Sequence, residues 1–280
     1  MQEVNFPIEI VIGEDCSNDN TLAVIEGYRN KFPTLIKLTT SQANVGVTEN
    51  FRRTLNACKG RYVAICEGDD YWVDKNKLQM QVDFLERNPE YVITFHDAYI
   101  FNESGIQKNL QLPKEYQCDV TSDELIRTRP ISTLTTCFRN VAGEIPPEFN
   151  DAPALDLCLW SLLGHHGQGK YMAGIKPAAY RLHGGGVFSS QSKDGKIRMT
   201  MRTYLCLAQF YENRDNKNLS REFTLKIAAM AGSQLGILGV LRLILTLANE
   251  MSGNPMHAIK RLLTENKFTR QRHRVHDDAI

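Results

Sequence analysis

Arg61-Tyr62-Val63-Ala64-Ile65-Cys66-Glu67-Gly68-Asp69-Asp70-Tyr71-Trp72 is the stretch from which the rest of the chain is read. A mostly apolar run of β-forming type leads straight into three carboxylates spread over four positions. The run predicts a buried parallel strand. The acids then stand at its carboxyl end, where open α/β sheets place their ligands. Carboxylates crowded on a strand tip repel one another and are costly to desolvate, so a positive partner is expected among them. A hard divalent cation, Mg²⁺ or Mn²⁺, suits one or two carboxylates plus phosphate oxygens. The plainer alternative is an acidic turn in which Asp69 or Asp70 caps the following helix.

Working outward, Ile8 to Ile12 predicts a strand that ends in Gly13-Glu14-Asp15-Cys16-Ser17-Asn18-Asp19-Asn20-Thr21, with a helix to about Asn30 after it. Asp15, Ser17, Asp19, Thr21 and Glu26 fall on the liganding positions of a calcium loop. Asn20 stands where that loop needs glycine, and a strand precedes it, so a strand tip offering two carboxylates to a ligand is preferred. Leu35 to Thr39 predicts a second strand. Asn44-Val45-Gly46-Val47-Thr48-Glu49-Asn50 opens a helix that Lys59-Gly60 closes. Arg52 and Arg53 on it could meet a phosphate or simply be solvated. After the acidic strand, a helix runs from about Lys75 to Asn88 and stops at Pro89. The order β-α-β-α-β-α predicts a mostly parallel, doubly wound sheet flanked by helices.

These blocks resemble glycosyltransferase family 2, of the GT-A fold. Glu9 to Thr21 is similar to the family's EIIVVDDGSxDxT signature. Asn44, Gly46, Asn50 and the Gly60-Arg61-Tyr62 step follow its next block, and Glu67-Gly68-Asp69-Asp70 resembles its D-x-D-D metal motif. Further on, Asp156, in Ala154-Leu155-Asp156-Leu157-Cys158-Leu159-Trp160, sits where the family keeps its catalytic base. Tyr180-Arg181-Leu182-His183, followed by Gly184-Gly185-Gly186, resembles its late YR-x-H block. On the residues alone, Asp156 could equally complement the first turn of its helix. His183-Gly184-Gly185-Gly186 also matches an esterase oxyanion loop, but no G-x-S-x-G elbow accompanies it.

The resemblance implies transfer of a sugar from a nucleotide-diphosphate sugar to an acceptor hydroxyl, inverting and dependent on Mn²⁺ or Mg²⁺, in surface polysaccharide or glycan synthesis. Asp69 and Asp70 would hold the metal, and Asp156 would act as base. Glu14, Asp15, Asn44, Glu67 and His183 would contact base, ribose or diphosphate. The acceptor would be a saccharide or a lipid-linked one. Two departures stand out. Glu67 replaces the first Asp of the metal motif, and the strand, P-x-Y-N turn and helix that open the family are not matched. Roughly 35–45 residues are therefore expected to be missing ahead of Met1, which would leave a strand edge unpaired. A non-catalytic nucleotide- or metal-binding remnant, and a nucleotidyltransferase-like enzyme, are the competing readings.

The middle is less regular. Val92 to Asn102 predicts a strand and turn, Thr121 to Arg127 a short helix, Thr133 to Asn140 a strand, and Gly169 to Ile175 and Ala178 to Leu182 two more strands. This divides the chain into a catalytic region over 1–190, with a nucleotide-binding half (1–100) and an acceptor half (101–190), and a helical C-terminal extension over 191–280. The run from Ile227 to Leu247 is broken by Gly232, Gly236, Gly239 and Arg242, short of the ~20 apolar residues of a spanning helix. Packing on the catalytic region or lying at a membrane interface fits it better. The tail carries Lys260, Arg261, Lys267, Arg270, Arg272 and Arg274, which could reach anionic lipid or stay solvated.

Thirty-three basic residues against 32 acidic ones imply no nucleic-acid partner. Hydrophobic content of 42% and charged content of 23% are those of a globular protein. Seven scattered cysteines without a C-x-x-C pair indicate a reducing compartment. The expected location is cytoplasmic, with peripheral contact at the inner membrane face through the C-terminal helices.

Overall fold

The computed structural model describes residues 2–232 of the chain, apart from the side chains of 107–109. Expectations for the apolar run beyond 232 and for the basic tail lie outside the described residues. The chain divides into two compact units. One is Met1–Ile145 with Leu155–Ser190, and the other is Pro146–Ala154 with the chain from Gln191 onward. The loop Pro146–Ala154, expected within the catalytic region, thus groups with the second unit.

The first unit begins β1 (Ile10–Gly13), α1 (Thr21–Lys31), β2 (Ile36–Thr39), α2 (Val47–Ala57), β3 (Tyr62–Ala64) and α3 (Lys77–Arg87). This is the expected alternation. The acidic strand is shorter than predicted, ending at Ala64, because the chain must leave the sheet to form the turn that holds the acids. Helix α2 also ends early. No left-handed glycine caps it, since Cys58 is extended and the carboxylate of Glu9 accepts from the amides of Lys59 (2.5 Å) and Gly60 (2.9 Å).

Next come β4 (Tyr91–Phe95), β5 (Ala98–Asn102), β6 (Gly105–Leu110), α4 (Ser122–Ile126), β7 (Cys137–Arg139), α5 (Leu155–Gly164), β8 (Gln168–Tyr171) and β9 (Ala178–Arg181). Thr121 and Glu124 form a reciprocal capping box at the start of α4. The segment Thr133–Thr135, expected as strand, is a 3-10 turn. Strands β1 and β2 pair parallel. A four-stranded sheet runs β3-β7-β4-β8, and a three-stranded one β6-β5-β9.

Among the described residues, three strand pairings are parallel and three antiparallel. The antiparallel share has two sources. Strand β7 returns between β3 and β4, and Glu103-Ser104 closes a tight β5–β6 hairpin. In that hairpin Gly105 takes φ +106°, a value that favours glycine.

The second unit is helical. Helix α6 (Lys193–Glu212) is capped by Ser192, and residues 217–232 form a further helical run. Phe149 packs on Phe210 with ring centroids 4.9 Å apart, while Met201, Leu205, Ile227 and Ala231 form a buried cluster. No helix among the described residues is long and apolar enough to cross a membrane.

Candidate active site

The acidic turn follows β3 directly. The amide of Asp70 donates to the carbonyl of Glu67 (3.1 Å), and Tyr71 then bridges Ala179 of β9. Strand β9 holds the turn from its other side. The Arg181 amide donates to Asp70 Oδ1 at 2.7 Å and Arg181 Nε to the Asp69 carbonyl at 2.9 Å, and His183 Nε2 lies 2.7 Å from Asp69 Oδ2. One oxygen, Asp70 Oδ2, is buried with no hydrogen-bond partner.

Charges at this turn are under pressure. Burial pushes Asp70 up to about 6, with repulsion from Asp69 adding to it. Burial within the cleft also pushes Glu67 up to about 7, with Asp70, Asp156 and Asp69 repelling it, although the residue keeps solvent-exposed surface. Desolvation and the neighbouring Glu67 and Asp70 carboxylates push the Cys66 thiol up to about 12, although the residue itself is exposed.

An orphaned carboxylate oxygen beside a second aspartate fits a hard cation. No group of three or more His, Cys, Asp and Glu among the described residues could cage a metal unaided. Asp69 and Asp70 therefore suit a Mg²⁺-type arrangement completed by substrate and water oxygens. His183 lies at this pair rather than apart from it.

Asp156 lies in the first turn of α5. Thr133 Oγ1 donates to Asp156 Oδ2 at 2.8 Å and the Leu157 amide to Oδ1 at 3.0 Å. Burial still raises its pKa, against those hydrogen bonds. The Asp156 carboxylate is near enough to add to the repulsion that raises Glu67.

The 3-10 turn that carries Thr133 is pinned from below. Trp72 Nε1 donates to the Leu134 carbonyl at 2.8 Å. Lys77, wholly buried, donates to Gln81 Oε1 (2.7 Å) and the Thr136 carbonyl (3.3 Å), with its ammonium 4.2 Å from the Trp72 ring centre. Burial lowers Lys77 to about 8.

The remaining predicted residues meet at the tips of β1 and β2. Glu14 accepts from the Ser17 amide (2.5 Å) and Thr40 Oγ1 (2.9 Å), and those bonds hold it at about 2. Asp15 accepts from the amides of Val45 (2.8 Å) and Gly46 (2.9 Å), and Asn44 Nδ2 donates to the Asp15 carbonyl (3.0 Å). Gly46 takes φ +86°, which opens α2 at this crossing. A side chain at Gly13 would strike Thr54 Oγ1, so β1 and α2 approach as only glycine permits.

The carboxylates of Glu14 and Asp15 are thus engaged by their own strand tips. Arg53 joins them, donating to the Glu14 carbonyl at 2.6 Å, and so is neither simply solvated nor free for a phosphate at that nitrogen. Sequence reasoning left Thr133, Lys77 and Arg181 without roles. Of these only Arg181 carried a signal, its place in the Tyr180–His183 block.

The sequence pattern described as Glycosyl transferase family 2 matches residues 4–143. An uncharacterized protein of Mycobacterium tuberculosis is 34% identical over 196 residues, covering 69% of this chain and 55% of that protein. The chain therefore spans about half the length of that relative. The putative teichuronic acid biosynthesis glycosyltransferase TuaG of Bacillus subtilis is 26% identical over 223 residues, covering 75% and 86%. An Escherichia coli relative, WfgD, named as a UDP-Glc:alpha-D-GlcNAc-diphosphoundecaprenol beta-1,3-glucosyltransferase, is 26% identical over 207 residues, covering 73% and 76%.

Among solved structures, residues 1–349 of Staphylococcus aureus TarS superpose with TM-score 0.55 at 16% identity, over 84% of this chain and 68% of that one. The mannosyltransferase PcManGT of Pyrobaculum calidifontis, in complex with GDP-Man and Mn²⁺, superposes with TM-score 0.51 at 14% identity, over 93% and 76%.

Proposed function

The chain belongs to glycosyl transferase family 2 and has the GT-A fold of its structural neighbours, and from that premise we propose that it moves a sugar from a nucleotide-diphosphate donor to an acceptor hydroxyl with inversion at the anomeric carbon. The observation that carries this reading is the acidic turn with its unsatisfied Asp70 Oδ2 beside Asp69, in a chain that also holds Asp156 in the first turn of α5, oriented by Thr133.

Asp69 and Asp70 would hold a divalent cation. Such an ion supplies charge stabilisation to the departing diphosphate. His183 stands beside Asp69, at the edge where the diphosphate would lie. Glu14, Asp15 and Asn44 would form the rim that receives the nucleoside, and Glu67 would contact the ribose or assist in holding the metal.

Asp156 takes the proton of the acceptor hydroxyl, whose oxygen attacks the anomeric carbon from the face opposite the diphosphate. Its raised pKa favours proton uptake, and Thr133 orients the carboxylate. The TuaG and WfgD names support a saccharide or lipid-linked acceptor in polysaccharide synthesis. The PcManGT complex supports Mn²⁺ with a nucleotide sugar. The working place is the cytoplasmic side, where such donors are supplied.

Calorimetric titration of UDP and GDP, with and without Mn²⁺, tests the donor site. Binding should require Mn²⁺ and vanish in Asp69→Ala. Asp156→Asn should keep that binding and lose at least a hundredfold in donor turnover. Metal-independent binding, or an Asp156→Asn protein as active as its parent, would sink the assignment.

A further inference from the structure

Among the described residues, the three-stranded sheet presents two apolar faces, and one of them is left exposed at Ile106, Leu110 and Tyr71. Register puts Ala98 beside Ala178 and Ile100 beside Tyr180, and this face packs on Leu134 and Trp72 in the core. The opposite face carries Tyr99 and Phe101 of β5, Arg181 of β9, and Ile106 and Leu110 of β6, which are the cross-strand partners of Phe101 and Tyr99. Tyr71 extends it by bridging Ala179.

A sheet with one wet face alternates apolar-in with polar-out. Here the wet positions are aromatic and aliphatic. Ile106 is 67% exposed, Tyr71 45% and Leu110 43%. The surface is ordered by its own contacts. The rings of Tyr71 and Phe101 meet edge to face at 5.4 Å, and the Arg181 guanidinium lies 4.6 Å from the centre of the Phe101 ring.

This face starts where the candidate metal pair ends. Tyr71 follows Asp70 in the chain, and Arg181 donates to the Asp69 carbonyl through Nε while its cation rests on Phe101. An occupant must therefore be apolar over Ile106 and Leu110 and anionic near Arg181. A bare saccharide meets only half of that, since hydroxyls laid over Ile106 and Leu110 would lose water without gaining partners.

We propose that this face is the docking surface for the apolar chain of a phosphate-linked lipid acceptor, whose sugar then reaches the space between the acidic turn and Asp156. The proposal rests on the transferase reading and narrows its acceptor class.

The test uses the full chain in EDTA, so that no cation sits on Asp69 and Asp70, and the probes are farnesyl phosphate below its micelle concentration and inorganic phosphate. Farnesyl phosphate should bind at least tenfold more tightly than inorganic phosphate. The double variant Ile106→Asp, Leu110→Asp, with an unchanged melting temperature as its fold control, should erase that difference. A milder pair, Ile106→Ser and Leu110→Ser, serves if the aspartates unfold the hairpin.

Equal binding of the two probes, or variants that hold farnesyl phosphate as tightly as the parent, overturns the proposal. So does a parent that sediments as a dimer which the variants dissociate, because a second copy then occupies the face. Parent-only pelleting with phosphatidylethanolamine vesicles, without a farnesyl phosphate response, would assign the face to a bilayer instead. Mn²⁺-dependent UDP binding by the parent is measured alongside. Its absence with an intact farnesyl phosphate response would defeat the transferase reading and not the docking surface.

Discussion

The span from Ile10 to Ala57 and the span from Tyr91 to Gly164 are built from similar strands and helices, yet they are held by different forces. In the first, Glu14 and Ile36 are the buried residues, and neither α1 nor α2 buries a side chain. Leu22, Val24 and Tyr28 of α1 stay exposed. Cohesion there comes from hydrogen bonds to strand tips, Glu14 to Ser17 and Thr40, Asp15 to Val45 and Gly46, and Asn50 to Gly13. In the second, Val92, Ile93, Phe95, Phe138, Leu159 and Trp160 are sealed from water, with Phe138 and Trp160 in edge-to-face contact. The lesson is a division of labour. The proposed base stands on a packed core, while the proposed nucleotide rim is a polar lattice that a bound nucleotide can complete.

The strongest way to break this contrast is to truncate one leucine in each span. Leu159→Ala should cost about 2–5 kcal/mol in urea unfolding, as for other fully buried leucines. Leu22→Ala should stay within about 0.5 kcal/mol. Equal losses would mean that α1 is packed in solution and the contrast is false.

A smaller effect follows from His96, sealed in the second span with both ring nitrogens unpartnered. Burial, aided by the nearby Lys77 cation, depresses its pKa to about 3 from 6.5. The folded state then binds fewer protons than the unfolded state, so stability is lost as pH falls below 6.5. The loss should reach about 1.4 kcal/mol by pH 5.5. His96→Leu should remove that acid slope, and a variant with the parent's slope would show that His96 protonates freely.

The smallest expected change sharpens the other side of the comparison. Glu14→Gln weakens the lattice by on the order of 1 kcal/mol at neutral pH. Glu14 is held at about 2 against 4.5, so its contribution is present above 4.5 and disappears as pH falls from 4.5 towards 2. Melting curves of parent and variant should converge over that window. Saturating Mn²⁺ and nucleotide should stabilise the parent at neutral pH, by an amount that grows with the logarithm of ligand over Kd.

Much of the first span was legible because its signals are local. Its apolar runs and Gly46 are short-range features, and the elements they predict form within a few residues of expectation. The β5–β6 hairpin was missed. Asn102-Glu103-Ser104-Gly105 carries the turn signal, with the Ser104 amide on Asn102 Oδ1, but its second strand has no strong alternation. The antiparallel return of β7 was also hidden, since direction depends on where a strand docks and not on its residues. Nothing in the local sequence marks Lys77 for burial. Its burial depends on Trp72, Gln81 and the Thr136 carbonyl.

What the amino-acid order determined alone is the family, the alternation of the first elements, and the acidic turn with Asp69 and Asp70 at its centre. Composition and turn chemistry act over a few residues, and this is information a chain carries unfolded. The tertiary structure alone decided which partners each carboxylate takes. Glu14 and Asp15 accept from Thr40, Val45 and Gly46, and Asp156 is oriented by Thr133, while Asp70 keeps one buried oxygen unpaired. A hydrogen bond has a reach of about 3 Å, and these partners lie some 23 to 31 positions apart in sequence. Folding had to bring them together before a binding carboxylate could be told from a structural one.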